Sequence, residues 1–355
     1  MKYAIPLLWM SLYGLPAVAA DLPGGGISAE HLSRHVQVLA SDAFEGRAPA
    51  TPGEEKTVAY LIDALKTAGV QPGGDNGGWT QAVPLVRAQV EGPVQATLRV
   101  GGKSQSLVNG EDLVLQSLVP VERVQVEAAP LVFVGYGVSA PERGWDDYKG
   151  ADLRGKIAVV LVNDPDFETP QPGAFDGRAV TYYGRWTYKY EELARQGATG
   201  VLVVHETAPA AYGWATVKSS GLSPLFDIPR KDAARHHTLL RGWMQRELAV
   251  SLFQRAGLDF EAEKKKAQTA QFKPVPLGDA TLSAAFGVKR DQVVTHNVIG
   301  KLEGTERPDE TVIYSAHWDA SGVGQPAADG DRIRHGAVDN ATGVAAVLAL
   351  ARTIA

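Results

Sequence analysis

Thr311-Val312-Ile313-Tyr314-Ser315-Ala316-His317-Trp318-Asp319 is an apolar run that ends on a histidine and a carboxylate two positions apart. Read as a strand, it puts i and i+2 on one side, so His317 and Asp319 project together from its C-terminal end. A carboxylate beside a histidine fixes the imidazole tautomer and leaves the second ring nitrogen for a metal. Farther along, Gly336-Ala337-Val338-Asp339-Asn340-Ala341-Thr342-Gly343 sets another carboxylate just before a helix for which Thr342 is the expected N-cap. Open α/β sheets gather their ligands at strand and helix ends of this kind. Spacing alone leaves two readings open: a metal centre at His317 and Asp339, or a structural His317–Asp319 pair with Asp339 in a loop.

Working outward, the helix after 342 is apolar almost all round and is expected deep in a core, covered on several sides. No Gly, Asn or Pro stop follows it before Ala355, so the chain reads as a fragment. Strands are expected around 280–286, 297–302 and 311–315. Leu131-Val132-Phe133-Val134, Ile157-Ala158-Val159-Val160-Leu161-Val162 and Gly200-Val201-Leu202-Val203-Val204 are continuous apolar runs, the mark of strands buried on both faces. With a helix over 186–196 before the last of them, they read as a compact block ending between 215 and 235. Helical pattern returns over 243–256 and 259–268, where Lys264, Lys265 and Lys266 read as a solvated face. Nearer the N-terminus, Ser28 caps a helix with Leu32, Val36 and Leu39 on one face. A loop over 41–52 leads to a second helix over 53–68, and 95–100 alternates as a strand does.

The 355 residues hold 35 Lys+Arg against 40 Asp+Glu, and that net charge of -5 gives no reason to expect a nucleic-acid partner, which would need a concentrated basic surface. With no cysteine there is no thiol nucleophile, thiolate metal site or disulfide. Lys2, an apolar stretch broken at Pro16, and Ala17-Val18-Ala19-Ala20 form the layout of a secretory signal peptide over 1–20. That stretch is too short and proline-broken for stable membrane insertion, so the expectation is an exported protein, periplasmic or secreted. Three catalytic signatures fail by inspection. Pro209 takes the second histidine position of a His-Glu-x-x-His motif starting at His205. Gly137-Val138-Ser139-Ala140-Pro141 lacks the last glycine of a nucleophile elbow, and no glycine loop runs into Gly-Lys-Ser/Thr. His205 reads as structural, His236 and His237 as surface, and Tyr182, Tyr183 and Trp186 as packing. His296 and His335 flank the motif region, and Asp42 and Glu45 stand near enough to Arg47 for a local ion pair.

His317-Trp318-Asp319 together with 336–343 resembles the co-catalytic zinc aminopeptidases of the M28 metallopeptidase family. Phe44-Glu45-Gly46-Arg47 and Asn297-Val298-Ile299-Gly300 are similar to stretches of the same family. Asp147-Tyr148, Gly155-Lys156-Ile157 and Gln196-Gly197-Ala198 resemble the protease-associated domain inserted in many members. The resemblance implies an α/β fold: a zinc-exopeptidase (phosphorylase/hydrolase-like) mixed-sheet domain, incomplete here, with an inserted protease-associated domain. It divides the chain into a signal peptide over 1–20, peptidase residues over 21–120, the insert over 121–230, a helical connector over 231–278 and the start of the catalytic domain over 279–355.

It also implies His317 as ligand of one zinc, Asp339 as the carboxylate bridging two Zn2+, and Asp319 as the catalytic carboxylate that orients His317. The peptide after Asp339 is often cis in that family. The family's Glu-Glu pair, further Asp and late His find no place before Ala355, and Ala320-Ser321-Gly322 stands where a second histidine is usual. The implied activity is removal of N-terminal residues from peptide substrates by metal-activated water, with carboxypeptidase, glutaminyl-cyclase-like and non-catalytic binding relatives as alternatives. Residues 21–355 alone are expected to bind zinc poorly and to lack peptidase activity.

Overall fold

The computed structural model describes residues 26–170, 174–327 and 329–355; the signal peptide expected over 1–20 lies outside them. Its centre is a nine-stranded mixed sheet. In chain order the strands are β1 (Thr80–Val100), β2 (Lys103–Leu107), β3 (Leu113–Gln116), β4 (Arg123–Phe133), β5 (Ile157–Leu161), β6 (Gly200–His205), β7 (Leu225–Asp227), β8 (Leu240–Gln245) and β9 (Val275–Val298). Their spatial order is β7-β1-β9-β4-β5-β6-β8-β3, with β2 beside β1. The three central junctions, β4 with β5, β5 with β6 and β6 with β8, are parallel. The long ribbon of β1 and β9 is antiparallel from Arg99↔Thr281 to Thr80↔Val298.

The continuous apolar runs explain why β5 and β6 sit centrally. Ile157, Val159 and Leu161 enter one core, while Ala158, Val160 and Val162 enter the core on the opposite face. Both sides of these strands are covered, as parallel strands require. Among the helices, α1 (Ala29–Leu39) and α2 (Pro52–Thr67) precede the sheet. They are followed by α3 (Trp186–Arg195), α4 (Trp214–Gly221), α5 (Arg246–Arg255), α6 (Phe260–Ala267) and α7 (Thr342–Ile354). Leu248, Leu252 and Phe253 of α5 fill the first core with Phe260 of α6, and Phe133 stands edge-on to Phe253 at 5.1 Å. Leu39, Leu61, Leu65, Val344 and Leu348 form a separate core of α1, α2 and α7 around Trp318. Ser28 caps α1, accepting from the His31 amide at 3.2 Å.

Several expectations need correction. Residues 311–315 are not a strand; Val312 and Ile313 are 77% and 80% exposed. A strand needs a neighbour for its backbone groups, and none lies beside this run among the described residues. The boundaries at 120 and 230 are not among these corrections: one sheet takes strands from both sides of each, with β9 paired to β4 and β8 to β6. The stretch 231–278 is not purely helical, since it supplies β8 and begins β9; Trp243 therefore sits in a strand rather than opening a helix. Helix α7 buries one face only, leaving Ala346 exposed and Val347 and Leu350 half-buried. Its N-cap is Ala341, and the Thr342 hydroxyl instead donates back to the Val338 carbonyl at 2.7 Å. Lys264 is buried rather than solvated, its ammonium held by Glu168 and Glu206, whereas Lys265 and Lys266 are exposed. The His237 side chain is 8% exposed and lies 2.7 Å from Asp227, so it is no surface group.

Two buried ionisable groups, Lys189 and Asp147, give the fold a pH signature. Lys189 on α3 is fully buried and donates to the carbonyls of Tyr136, Asn163 and Tyr183 at 2.6, 3.0 and 3.2 Å. Burial pulls its amine down to about 8 and pushes Asp147, which accepts from the Tyr136 and Val138 amides and the Trp145 indole, up to about 7. Because the folded pKa of Lys189 lies below its unfolded value, the folded state binds fewer protons over that window, and the lysine's contribution to stability rises with pH. The stability of the wild type relative to Lys189→Met will therefore increase by about 2 kcal/mol between pH 8 and pH 10. Urea unfolding at the two pH values measures this, and a constant difference would contradict it.

Candidate metal centre

Trp318 points inward to the helical core, donating its indole N–H to the His296 carbonyl at 3.0 Å. Its neighbours His317 and Asp319 therefore face outward together. His317 Nδ1 is 3.2 Å from Asp319 Oδ1, and His317 Nε2 is 3.1 Å from Asp339 Oδ1. The imidazole thus lies between two carboxylates, with side-chain exposures of 54% for His317, 45% for Asp319 and 88% for Asp339. The structure brings together all three residues singled out from the sequence. Asp339 sits in a break before α7 and its peptide to Asn340 is cis. The Asn340 amide donates to the His317 carbonyl at 3.2 Å, joining the two segments.

The two segments are held by a residue whose role spacing does not disclose. Arg47 is completely buried, and it forms no ion pair with Asp42 or Glu45. Its Nε donates to the Trp318 carbonyl at 2.9 Å, Nη1 to the His335 carbonyl at 2.8 Å and to the Leu39 carbonyl, and Nη2 to the Gly336 carbonyl at 2.8 Å. Burial lowers its pKa from the ordinary value, against the opposing charge of Asp319. Asp42 instead meets His335 at 2.9 Å, and Glu45 meets Lys56 at 2.6 Å. Glu54, buried at the start of α2, ties the same N-terminal loop to β9. Its Oε2 accepts from Thr295 at 2.9 Å, and its Oε1 lies 3.0 Å from His296. His296 is thus engaged by Glu54 rather than by the His317 group.

A cavity of about 910 Å3 opens over these residues. Glu45, His317, Asp319, His335 and Asp339 line one part of it, and Pro224, Leu225 and Phe226, on and just before β7, line another. Arg334 joins the two parts, its Nε donating to Ser219 at 2.7 Å. An imidazole and a carboxylate converging on one solvent-facing point suit zinc in donor type. They are two donors, and no group of three or more potential ligands occurs among the described residues.

Residues 297–355, which carry His317, Asp319 and Asp339, match the family model described as peptidase family M28. No curated protein matches the chain. Among solved structures, the aminopeptidase from Aneurinibacillus sp. strain AM-1 is 20% identical, with a TM-score of 0.43, covering 92% of this chain and 59% of its own. BSAP, a zinc aminopeptidase from Bacillus subtilis, is 18% identical, with a TM-score of 0.40 and coverage of 94% and 58%. A peptidase M28 precursor from Shewanella amazonensis SB2B is 16% identical, with a TM-score of 0.41 and coverage of 92% and 62%. The chain spans about three-fifths of the length of these proteins.

Gly46 is required by the closeness of the loops. With φ at 64°, a Cβ there would stand 2.6 Å from the Arg334 carbonyl oxygen and 2.7 Å from that of Gly322. Gly92 has a similar φ of 71° with nothing within 4 Å. Gly46→Ala will cost at least about 2 kcal/mol, against about 1 kcal/mol for Gly92→Ala, in which only the backbone is strained. Denaturant unfolding of both variants measures the difference, and equal losses would show that the loop yields without cost.

Proposed function

We propose that the protein is an exported zinc-dependent peptidase of the M28 kind, most simply an aminopeptidase that releases N-terminal residues from peptides. The observation that carries this reading is the His317 imidazole held between Asp319 and Asp339, at 3.2 and 3.1 Å, within the segment that matches the family. In this reading His317 Nε2 and Asp339 would be the residues that hold the zinc. Asp319 accepts from His317 Nδ1–H, which leaves the lone pair of Nε2 for a metal that Asp339 would also hold. Bound zinc would supply Lewis acidity for activating water and a peptide carbonyl. The chain's own part is to hold those donors in register and to offer the adjoining cavity to the peptide. The division into an exported leader over 1–20, a protease-associated insert over 121–230 and catalytic residues from 279 onward belongs to the same proposal.

The test uses the product of the complete coding region and an aminoacyl 4-nitroanilide. Turnover will vanish on dialysis against a chelator and return with zinc at two ions per chain, and an N-acetylated substrate will not be cleaved. His317→Ala and Asp339→Asn will abolish both tight zinc binding and turnover. Asp319→Asn will weaken zinc by about 10–100-fold while retaining some activity. Undiminished hydrolysis by His317→Ala, or in the chelator, would overturn the metal assignment. Cleavage confined to the C-terminal end of peptides would replace the aminopeptidase reading with a carboxypeptidase.

A further inference from the structure

We infer that Arg47 is the positioning residue that sets His317 and Asp339 relative to each other, so that the N-terminal loop over 41–51 is part of the metal-holding apparatus. The reach toward the metal rests on the peptidase reading above; the clamp itself is a matter of geometry. A guanidinium offers five N–H donors in a fixed plane, and four hydrogen bonds run from Arg47 to three segments far apart in sequence. The Trp318 carbonyl lies between His317 and Asp319. The Gly336 carbonyl also accepts from the Ala341 amide at 3.1 Å, bracketing the turn that contains Asp339. Contact returns in the other direction, since the Ala320 amide donates to the Arg47 carbonyl at 3.2 Å. There is no slack at the crossing: a Cβ on Gly336 would lie 2.5 Å from Ala320 Cβ, 2.7 Å from Arg47 Nη2 and 2.7 Å from the Asp339 carbonyl oxygen.

Lysine cannot replace this arrangement, because one ammonium donates from a single point and cannot span carbonyls on opposite sides of a planar fork. Arginine at this position has φ at 50°, so Arg47→Gly relaxes the backbone while leaving room for a free guanidinium ion. A merely structural arginine would lower stability without altering the donors specifically. Leu252→Ala, in the core of the sheet rather than that of the helices, supplies a loss of stability away from the site.

The experiment has two readouts on the product of the complete coding region. Hydrogen exchange without metal follows the segments 317–323 and 334–341, and competition with a chromophoric chelator follows zinc affinity. In Arg47→Lys and Arg47→Gly, exchange in both segments will rise and zinc affinity will fall about 10–100-fold, the range for residues that orient ligands. Leu252→Ala will change neither. Millimolar guanidinium chloride will restore zinc affinity to Arg47→Gly, whereas equal sodium chloride will not. Unchanged exchange in both Arg47 variants overturns the inference whatever zinc does, and raised exchange with undiminished zinc affinity overturns its reach to the donors. If exchange rises but the wild type takes up no zinc, the clamp stands and the peptidase reading falls. Should Arg47→Gly not fold, Arg47→Lys decides alone.

Discussion

A guanidinium removed from water, with carbonyl oxygens in place of a counter-ion, is the constraint on which the candidate site depends. Desolvating a charge costs on the order of several kcal/mol even after the protein relaxes. Arg47 recovers that through charge-assisted hydrogen bonds, which are stronger than neutral ones. Its partners are backbone groups of Leu39, Trp318, His335 and Gly336, so the favourable energy exists only when four pieces of chain arrive together. A carboxylate partner would have satisfied the charge locally and demanded nothing of the distant loops. Carbonyl partners make the charge a condition on the fold, and the crowded positions of Gly46 and Gly336 follow from it.

The sheet and the helical cluster meet this constraint from different directions. The β1–β9 ribbon runs from the apolar interior at Ala96 and Ala284 out to Asn297 and Val298. Glu54 fastens α2 onto the outer part of that ribbon at Thr295 and His296. Trp318 then closes the cluster of α1, α2 and α7 from below. Arg47 and Glu54, both buried here, each bond to groups more than 200 positions away, so local propensity accounts for the elements but not for their assembly.

That division also explains what could be read in advance. The apolar runs at Ile157–Leu161 and Gly200–His205 declared buried strands, because coverage on both faces leaves a compositional trace. The Ser28 cap was legible for an equally local reason. Residues 311–315 carry the composition of a strand, yet composition cannot supply a neighbour, and the segment stays exposed. The continuity of the sheet past 120 and 230 was hidden because antiparallel pairing of β9 with β4 joins residues about 150 positions apart. His317, Asp319 and Asp339 were legible because their chemistry resides in the side chains. Arg47 and Glu54 were not. The carbonyls that Arg47 binds have no residue identity, and a glutamate at the start of α2 looks like any favourable first-turn acid.

The cavity joins these two kinds of information. Phe226, on the short edge strand β7, pairs through the backbone with Arg87 of β1, and both line the same space as His317 and Asp339. Arg334 stands two residues before Gly336, which Arg47 grips, and its side chain reaches Ser219 on α4. The segment just before Asp339 is therefore tied both to the N-terminal loop, through Arg47, and to the wall formed by 219–226, through Arg334. Whatever occupies the space beside Asp339 meets apolar surface from Pro224 and Phe226, residues that share no local sequence with the donors. The acidic and imidazole donors and the apolar wall thus come from different parts of the chain, with the hydrogen bonds of Arg47 and Arg334 running between them.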